Sequence, residues 1–166
     1  MFDISTFLGL PAHPLFVHIP VVLVPLGAIG AVAMAVSAWV RRRFGWLVAG
    51  ITVVAGIGTQ LAISSGQGLR GSVVPSAALA RHISIAESIR PLVLVLFFAI
   101  LALLWVDWRT ASGTPPARWI LAAASVVEVL AAVGSTVRLA QIGHTGAQAA
   151  WQKVHLGRSQ SGRLGH

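Results

Sequence analysis

Four long apolar stretches, at about residues 15–40, 45–64, 85–106 and 119–142, are separated by short polar turns. Each reaches the roughly 20 apolar residues that a helix needs to cross the hydrocarbon of a bilayer. The alternating segments of about 10 residues that mark a membrane barrel are absent. In lipid every backbone N–H and C=O needs an internal partner, so the pattern predicts an all-α fold, a transmembrane four-helix bundle. Residues 1–151 form one domain on this reading. From 152 onward the tail QKVHLGRSQSGRLGH loses its period, and it is expected to be polar and poorly ordered. The two halves show no repeat beyond their shared hydropathy.

Composition agrees with the pattern. The 166 residues are 56% hydrophobic and only 10% charged, against about 25% charged in soluble domains. Mean hydropathy is +0.83. The first apolar run is too long for a signal peptide and has neither a basic leader nor a small-residue cleavage pattern, so it is expected to stay as a helix. A formal charge of +8 could suggest nucleic acid. The basic residues lie at helix ends and in the tail, however, where anionic lipid head groups account for them and nucleic acid is not needed.

The turns carry a weak orientation signal. Arg41, Arg42 and Arg43 mark the first turn, while Arg109 and Arg118 flank the third on the same side. Trp39, Trp46, Trp105, Trp108 and Trp119 gather there as an aromatic belt. The positive-inside rule makes this face cytoplasmic and places both termini outside, in a bacterial inner membrane, although Arg70, Arg81, Lys153 and Arg158 lie opposite. DWRTASGTPPA at 107–117 reads as a polar turn stopped by Pro115-Pro116, and 64–82 as a longer Gly- and Ser-rich loop.

Candidate chemistry then concentrates at one end. His13, His18, His82, His144 and His155 all fall on the face opposite the arginine turns; only His166, in the tail, stands apart. Imidazoles at a membrane boundary must be partnered, liganded or wetted. The chain has no cysteine and no tyrosine. Disulfides, thiolate ligands, C-x-x-C-H haem attachment and phenol relays are thereby excluded, and any cofactor is left to His, carboxylate, amide or backbone groups.

His13-Pro14-Leu15-Phe16-Val17-His18-Ile19-Pro20 opens the first helix. Pro14 suits a first turn, whereas Pro20 and Pro25 each remove an interior hydrogen bond and should kink or loosen the helix. Five residues apart, the two rings point about 140° apart on an ideal helix. This makes His18 the better ligand candidate and His13 an interfacial one. At the third helix, Arg81-His82 precedes Glu87 and Arg90, which are spaced to pair along one face. In the fourth, Glu128, Ser135, Arg138 and Gln141 lead to Gly143-His144-Thr145-Gly146-Ala147. An unpaired Glu128 so deep in the bilayer would cost several kcal/mol. Arg138 is about 15 Å along the helix from it and is expected to pair with Glu87 across antiparallel helices instead. Gly143 reads either as a C-cap below His144 or, with Gly146, as room for a planar group.

His-Pro-Leu-x-Val-His-x-Pro and Gly-His-x-Gly-Ala resemble the opening and closing motifs of an uncharacterised bacterial four-span membrane family, the domain of unknown function 2231. The resemblance covers roughly residues 8–151. Ser64-Ser65-Gly66 and His82 with Glu87 are similar to its weaker features. It implies a redox neighbourhood, since related domains occur fused to Rieske-type iron–sulfur modules, and it transfers no catalytic residue.

The favoured expectation is a histidine-lined site near the outer face that binds a b-type haem or a metal ion in a redox-linked role. His18 and His144 would be the axial ligands of a haem, with His82 as alternative and His13 nearby. Copper or zinc would use His18, His82 and His144 together. Glu87, Arg90, Glu128, Arg138 and Gln141 would form a supporting polar network. The alternative is a non-catalytic structural or assembly subunit, using the glycines of helix 2 and the alanines of helix 4 against a membrane partner or a second copy. A small proton channel through Glu128 is a third reading. No Gly-x-Ser-x-Gly or His-Glu-x-x-His motif supports hydrolysis.

Overall fold

The computed structural model describes residues 6–7, 10–11, 13–68 and 76–161, with side chains for 13–68 and 76–151. A two-residue antiparallel pairing of Thr6–Phe7 with Leu10–Pro11 precedes five helices. These are α1 (His13–Val36), α2 (Ala38–Gly68), α3 (Ala77–Glu87), α4 (Ile89–Ala111) and α5 (Arg118–Ser161). Helices α3 and α4 act as one element, so four spans are long and apolar enough to cross a membrane: His13–Val36, Ala38–Gly68, Ala77–Ala111 and Arg118–Trp151. The fold is the expected all-α bundle.

Local chemistry explains the breaks. Pro91 cannot donate to the Glu87 carbonyl and its ring crowds that turn. The backbone therefore steps aside at Ser88, whose hydroxyl donates to the Ile85 carbonyl at 2.6 Å. Gly113, at φ 74°, takes the left-handed conformation that ends α4, and Pro115-Pro116 keep the turn open until Arg118. Ser76 caps α3 by accepting from the Leu79 N–H at 3.2 Å.

Several expected boundaries move. Helix α1 ends at Val36, not 40, and the arginine triplet lies inside the first turns of α2. The reason is Arg41, which is buried and donates to the Met34 carbonyl at 2.8 Å, tying off the end of α1. Its Nε also lies 3.0 Å from Asp107 Oδ2 on α4. The expected loop at 64–82 is mostly helix, with only 69–75 outside the described residues. Helix α5 runs through Gly143 and on to Ser161, so Gly143 is not its C-cap and the backbone of 152–161 continues as helix. Thr145 bonds back to the Gln141 carbonyl at 2.9 Å, and alanines follow, which favours continuation. Pro20 and Pro25 both sit within an unbroken α1.

The helices form a ring in which α1 packs on α2 and α5, and α4 on α5 and α2. Small residues bring the backbones together. Gly27 faces Thr52, Gly30 faces Val48 and Gly58 faces Ile19, which sets α1 and α2 antiparallel. One core cluster, Ala28, Ala31, Met34, Ala49, Leu96, Ile100, Leu103 and Ala132 among it, fills the half nearer the arginines. A smaller one, Val24, Ala55, Ile89, Val93 and Leu139, lies toward the histidines.

Burial also exposes an internal repeat that hydropathy does not. Pro20, Val24, Gly27, Ala31 and Met34 of α1 are buried, and so, at one constant offset, are Ile89, Val93, Leu96, Ile100 and Leu103 of α4. In α2 and α5 the buried positions match at a second constant offset: Val48 with Glu128, Thr52 with Ala132, Ala55 with Ser135, Thr59 with Leu139 and Ser65 with Thr145. The chain is a helical hairpin built twice, its halves related by a pseudo-two-fold along the bundle axis, as in membrane proteins with parallel repeats.

Candidate functional site

At the histidine end the helices part around a cavity of about 550 Å³ between α1, α2, α3 and α5. That volume falls within the roughly 300–1,000 Å³ of small-molecule and cofactor sites. Its walls are largely aliphatic, from Val17, Ile63, Leu79, Ile83, Leu139 and Ile142, and three imidazoles enter them: His13, His18 and His82.

Each ring is held through Nδ1. His13 Nδ1 lies 3.0 Å from the Ala62 carbonyl and 3.1 Å from Ser65 Oγ, and Ser65 itself donates to Ala62 at 3.0 Å. A carbonyl only accepts, so Nδ1 carries the proton and Nε2 keeps its lone pair. His82 Nδ1 lies 3.2 Å from Thr145 Oγ1. The Thr145 hydroxyl is directed at the carbonyls of Gln141 and Ile142, at 2.9 and 3.1 Å, so its oxygen accepts from His82. His18 Nδ1 donates to the Pro14 carbonyl of its own helix at 2.6 Å. In all three cases Nε2 is the nitrogen left to bind an occupant. Anchoring the far nitrogen fixes ring orientation and raises the basicity of the ligating one.

Two glycines let the rings sit close to the neighbouring backbone. A Cβ at Gly66 would lie 3.0 Å from His13 Cε1, and one at Gly146 would lie 3.1 Å from His82 Cε1. Serine or threonine followed by glycine, at the histidine end of the second and fourth spans, is the sequence signal for these seats. Both glycines are visible in the sequence, but their shared role appears only where each faces a ring.

The remaining sequence candidates divide. His13, expected to be interfacial, is part of the cavity wall, half-buried. His144 is not: it is exposed on α5, and its Nε2 meets Gln148 Nε2 at 3.0 Å, while Gly143, Gly146 and Ala147 line the cavity instead. The expected axial pair of His18 with His144 is therefore not assembled, nor is a metal site of His18, His82 and His144. Among the described residues no three His or carboxylate side chains group to hold a metal ion. His155 lies on α5 without a described side chain, and His166 is outside the described residues. Glu87 reaches the cavity and accepts from Gln67 Nε2 at 3.2 Å. Arg90, Arg138 and Gln141 are not in its lining, although the Gln141 carbonyl supports the Thr145 seat. Glu128 is fully buried in the bundle away from the cavity, and neither of its carboxylate oxygens has a hydrogen-bond partner among the described residues.

Comparison with known proteins places the chain. A family profile described as predicted membrane protein (DUF2231) matches residues 9–157, and the chain belongs to that family. No curated protein and no solved structure matches it.

Proposed function

We propose that this DUF2231 member is a multi-pass protein of the bacterial inner membrane that holds a b-type haem in the histidine-end cavity and acts in electron transfer. The observation that carries the reading is the set of three imidazoles, each tied through Nδ1 and none with an Nε2 partner among the described residues, in the wall of one largely apolar cavity. The donor set also favours haem over a bare ion. Copper and zinc sites take three or four protein ligands, and no such group occurs among the described residues. A haem brings its own ring nitrogens and asks the protein for one or two imidazoles.

The bound group would supply one-electron chemistry. The chain's own part is to orient the imidazoles through Ala62, Ser65, Thr145 and Pro14, and to keep water from the ring with aliphatic walls; both act on its potential. Exchange of that electron requires a redox partner in the membrane, either another protein or a second copy. The arginines at 41–43 and the exposed Trp39, Trp46, Trp105, Trp108 and Trp119 support an orientation with the arginine end cytoplasmic and the cavity outward.

The test is a visible spectrum of the gently purified full chain, oxidised and then dithionite-reduced, with iron analysis on the same sample. A Soret band that sharpens on reduction, with near-stoichiometric iron, is expected. A chain without haem that also takes up no added ferric protoporphyrin overturns the reading. Membrane proteins co-purifying with such a chain would instead favour a structural or assembly subunit.

A further inference from the structure

The two hairpins build the same imidazole seat twice. In the first, His13 at the start of a span meets Ser65-Gly66 near the end of the next. In the second, His82 meets Thr145-Gly146. The match extends to the atoms. A Cβ at Gly66 would lie 3.0, 3.3 and 3.8 Å from Cε1, Nδ1 and Nε2 of His13. At Gly146 the same three distances to His82 are 3.1, 3.4 and 3.8 Å. The carbonyls that accept from the two seat hydroxyls, Ala62 from Ser65 and Ile142 from Thr145, also stand at equivalent places in α2 and α5.

The other two described histidines have no such counterpart. His18 follows His13 by the same interval at which Glu87 follows His82, so the second half carries a carboxylate where the first has an imidazole. His144 stands where the first half has Ser64. His18 is also braced only within its own helix, at Pro14, whereas His13 and His82 are each braced across two helices. A ligand on the pseudo-two-fold axis would meet equivalent groups from both sides only at the two seats, and both rings line the one cavity.

We propose that His13 and His82 are a two-fold-related pair of axial ligands, presented by the duplicated Ser65-Gly66 and Thr145-Gly146 seats to opposite faces of one haem. This rests on the haem reading above and replaces the pairing of His18 with His144. The duplicated hairpin thereby explains how a single cofactor is held equally by both halves of a short chain.

The experiment titrates ferric protoporphyrin IX into the full-length, haem-depleted chain in detergent and records optical and electron paramagnetic resonance spectra. The wild type is expected to give a low-spin, bis-imidazole spectrum. His13→Gly and His82→Gly should each lose it, with uptake at least about tenfold weaker and to a similar degree. Added imidazole should restore the low-spin spectrum in both, a rescue that a misfolded variant would not give. His144→Ala, at an exposed position on α5 outside the cavity lining, should keep it. Low-spin binding that depends on His18 or His144, or on only one member of the pair, overturns the pairing while leaving the haem reading intact. A high-spin, five-coordinate wild type overturns the pairing in the same way. No uptake by the wild type removes both.

Discussion

The two ends of this bundle are made from the same four spans and finish differently. At the arginine end, α1 closes on α2 through the Arg41 bond to the Met34 carbonyl, and the same guanidinium meets Asp107 of α4. Met34, Ile100 and Leu103 fill the space behind it to 0% exposure. At the histidine end the polar side chains point past one another to backbone carbonyls and hydroxyls, and about 550 Å³ stays open between them. One end spends its polar groups on joining helices; the other spends them on aiming rings.

The sharpest way to break this contrast is at Arg41. Truncation to Ala leaves Asp107 largely buried without its partner and frees the Met34 carbonyl. Losing one member of a buried ion pair costs about 3–5 kcal/mol. Arg41→Ala should therefore lower the melting temperature of the detergent-solubilised chain more than any histidine substitution. Arg41→Met combined with Asp107→Leu should recover most of that loss, because the uncompensated charge is gone as well. An Arg41→Ala chain that melts like the wild type would remove the closed end from the comparison.

At the open end the corresponding change should leave stability nearly alone and fall on ligand affinity. Ser65→Ala and Thr145→Ala each delete the hydroxyl that meets an Nδ1. Loss of such an outer partner weakens a metal–imidazole site by about 10–100-fold. Titration with ferric protoporphyrin should show a drop in that range for Thr145→Ala. The drop should be smaller for Ser65→Ala, because the Ala62 carbonyl still holds His13 at 3.0 Å. Equal affinities in all three chains would mean that the hydroxyls serve packing only.

How much of this could be seen in the sequence follows from what hydropathy measures. Lipid and protein core are equally apolar, so the four spans are plain while their inward faces are not. Leu96 and Phe98 read alike in sequence, yet the first is 1% exposed and the second 62%. The repeat was hidden for the same reason, since burial matches Gly27 to Leu96 and Val48 to Glu128 without any likeness of residue. The gathering of histidines at one end was legible because turns and spans fix depth. Which imidazoles enter the cavity was not, because that depends on the residue opposite: Gly66 and Gly146 admit His13 and His82, and nothing in the spacing along α5 turns His144 outward. Arg41-Arg42-Arg43 looked like one exposed turn, and only the meeting with Asp107 singles out its first member.

Glu128 lies in the arginine half of the bundle, within electrostatic reach of Arg41, and gives a smaller effect. It is fully buried, its oxygens lack hydrogen-bond partners among the described residues, and its counterpart in the first hairpin is Val48. Replacing an unsatisfied buried polar group with an apolar one of similar shape is neutral or stabilising. Glu128→Met should leave the melting temperature unchanged or raise stability by about 1 kcal/mol, with haem uptake unaltered. A strong loss of either would show that the carboxyl serves a function that the seats at the histidine end do not account for.

The finest test sets two glycines of one helix turn against each other. Gly143 also borders the cavity but is exposed on α5, and among the described residues nothing lies within 4 Å of a Cβ built there, so its methyl would meet no imidazole. Gly143→Ala should stabilise the helix by up to about 1 kcal/mol, the ordinary difference between the two residues in a helix interior. Gly146→Ala gains the same propensity but places its methyl 3.1 Å from His82 Cε1, so the ring must move by a few tenths of an ångström. Its hydrogen bond to Thr145 is already 3.2 Å long and has little slack. The two variants should thus melt at similar temperatures and separate in ferric protoporphyrin affinity, Gly146→Ala being the weaker binder. Gly66→Ala should behave like Gly146→Ala, since its methyl would meet His13 at 3.0 Å. If Gly143→Ala reduces affinity as much as the other two, close approach of the ring to the helix is not what the glycines provide, and the contrast between the two ends rests on the hydroxyls alone.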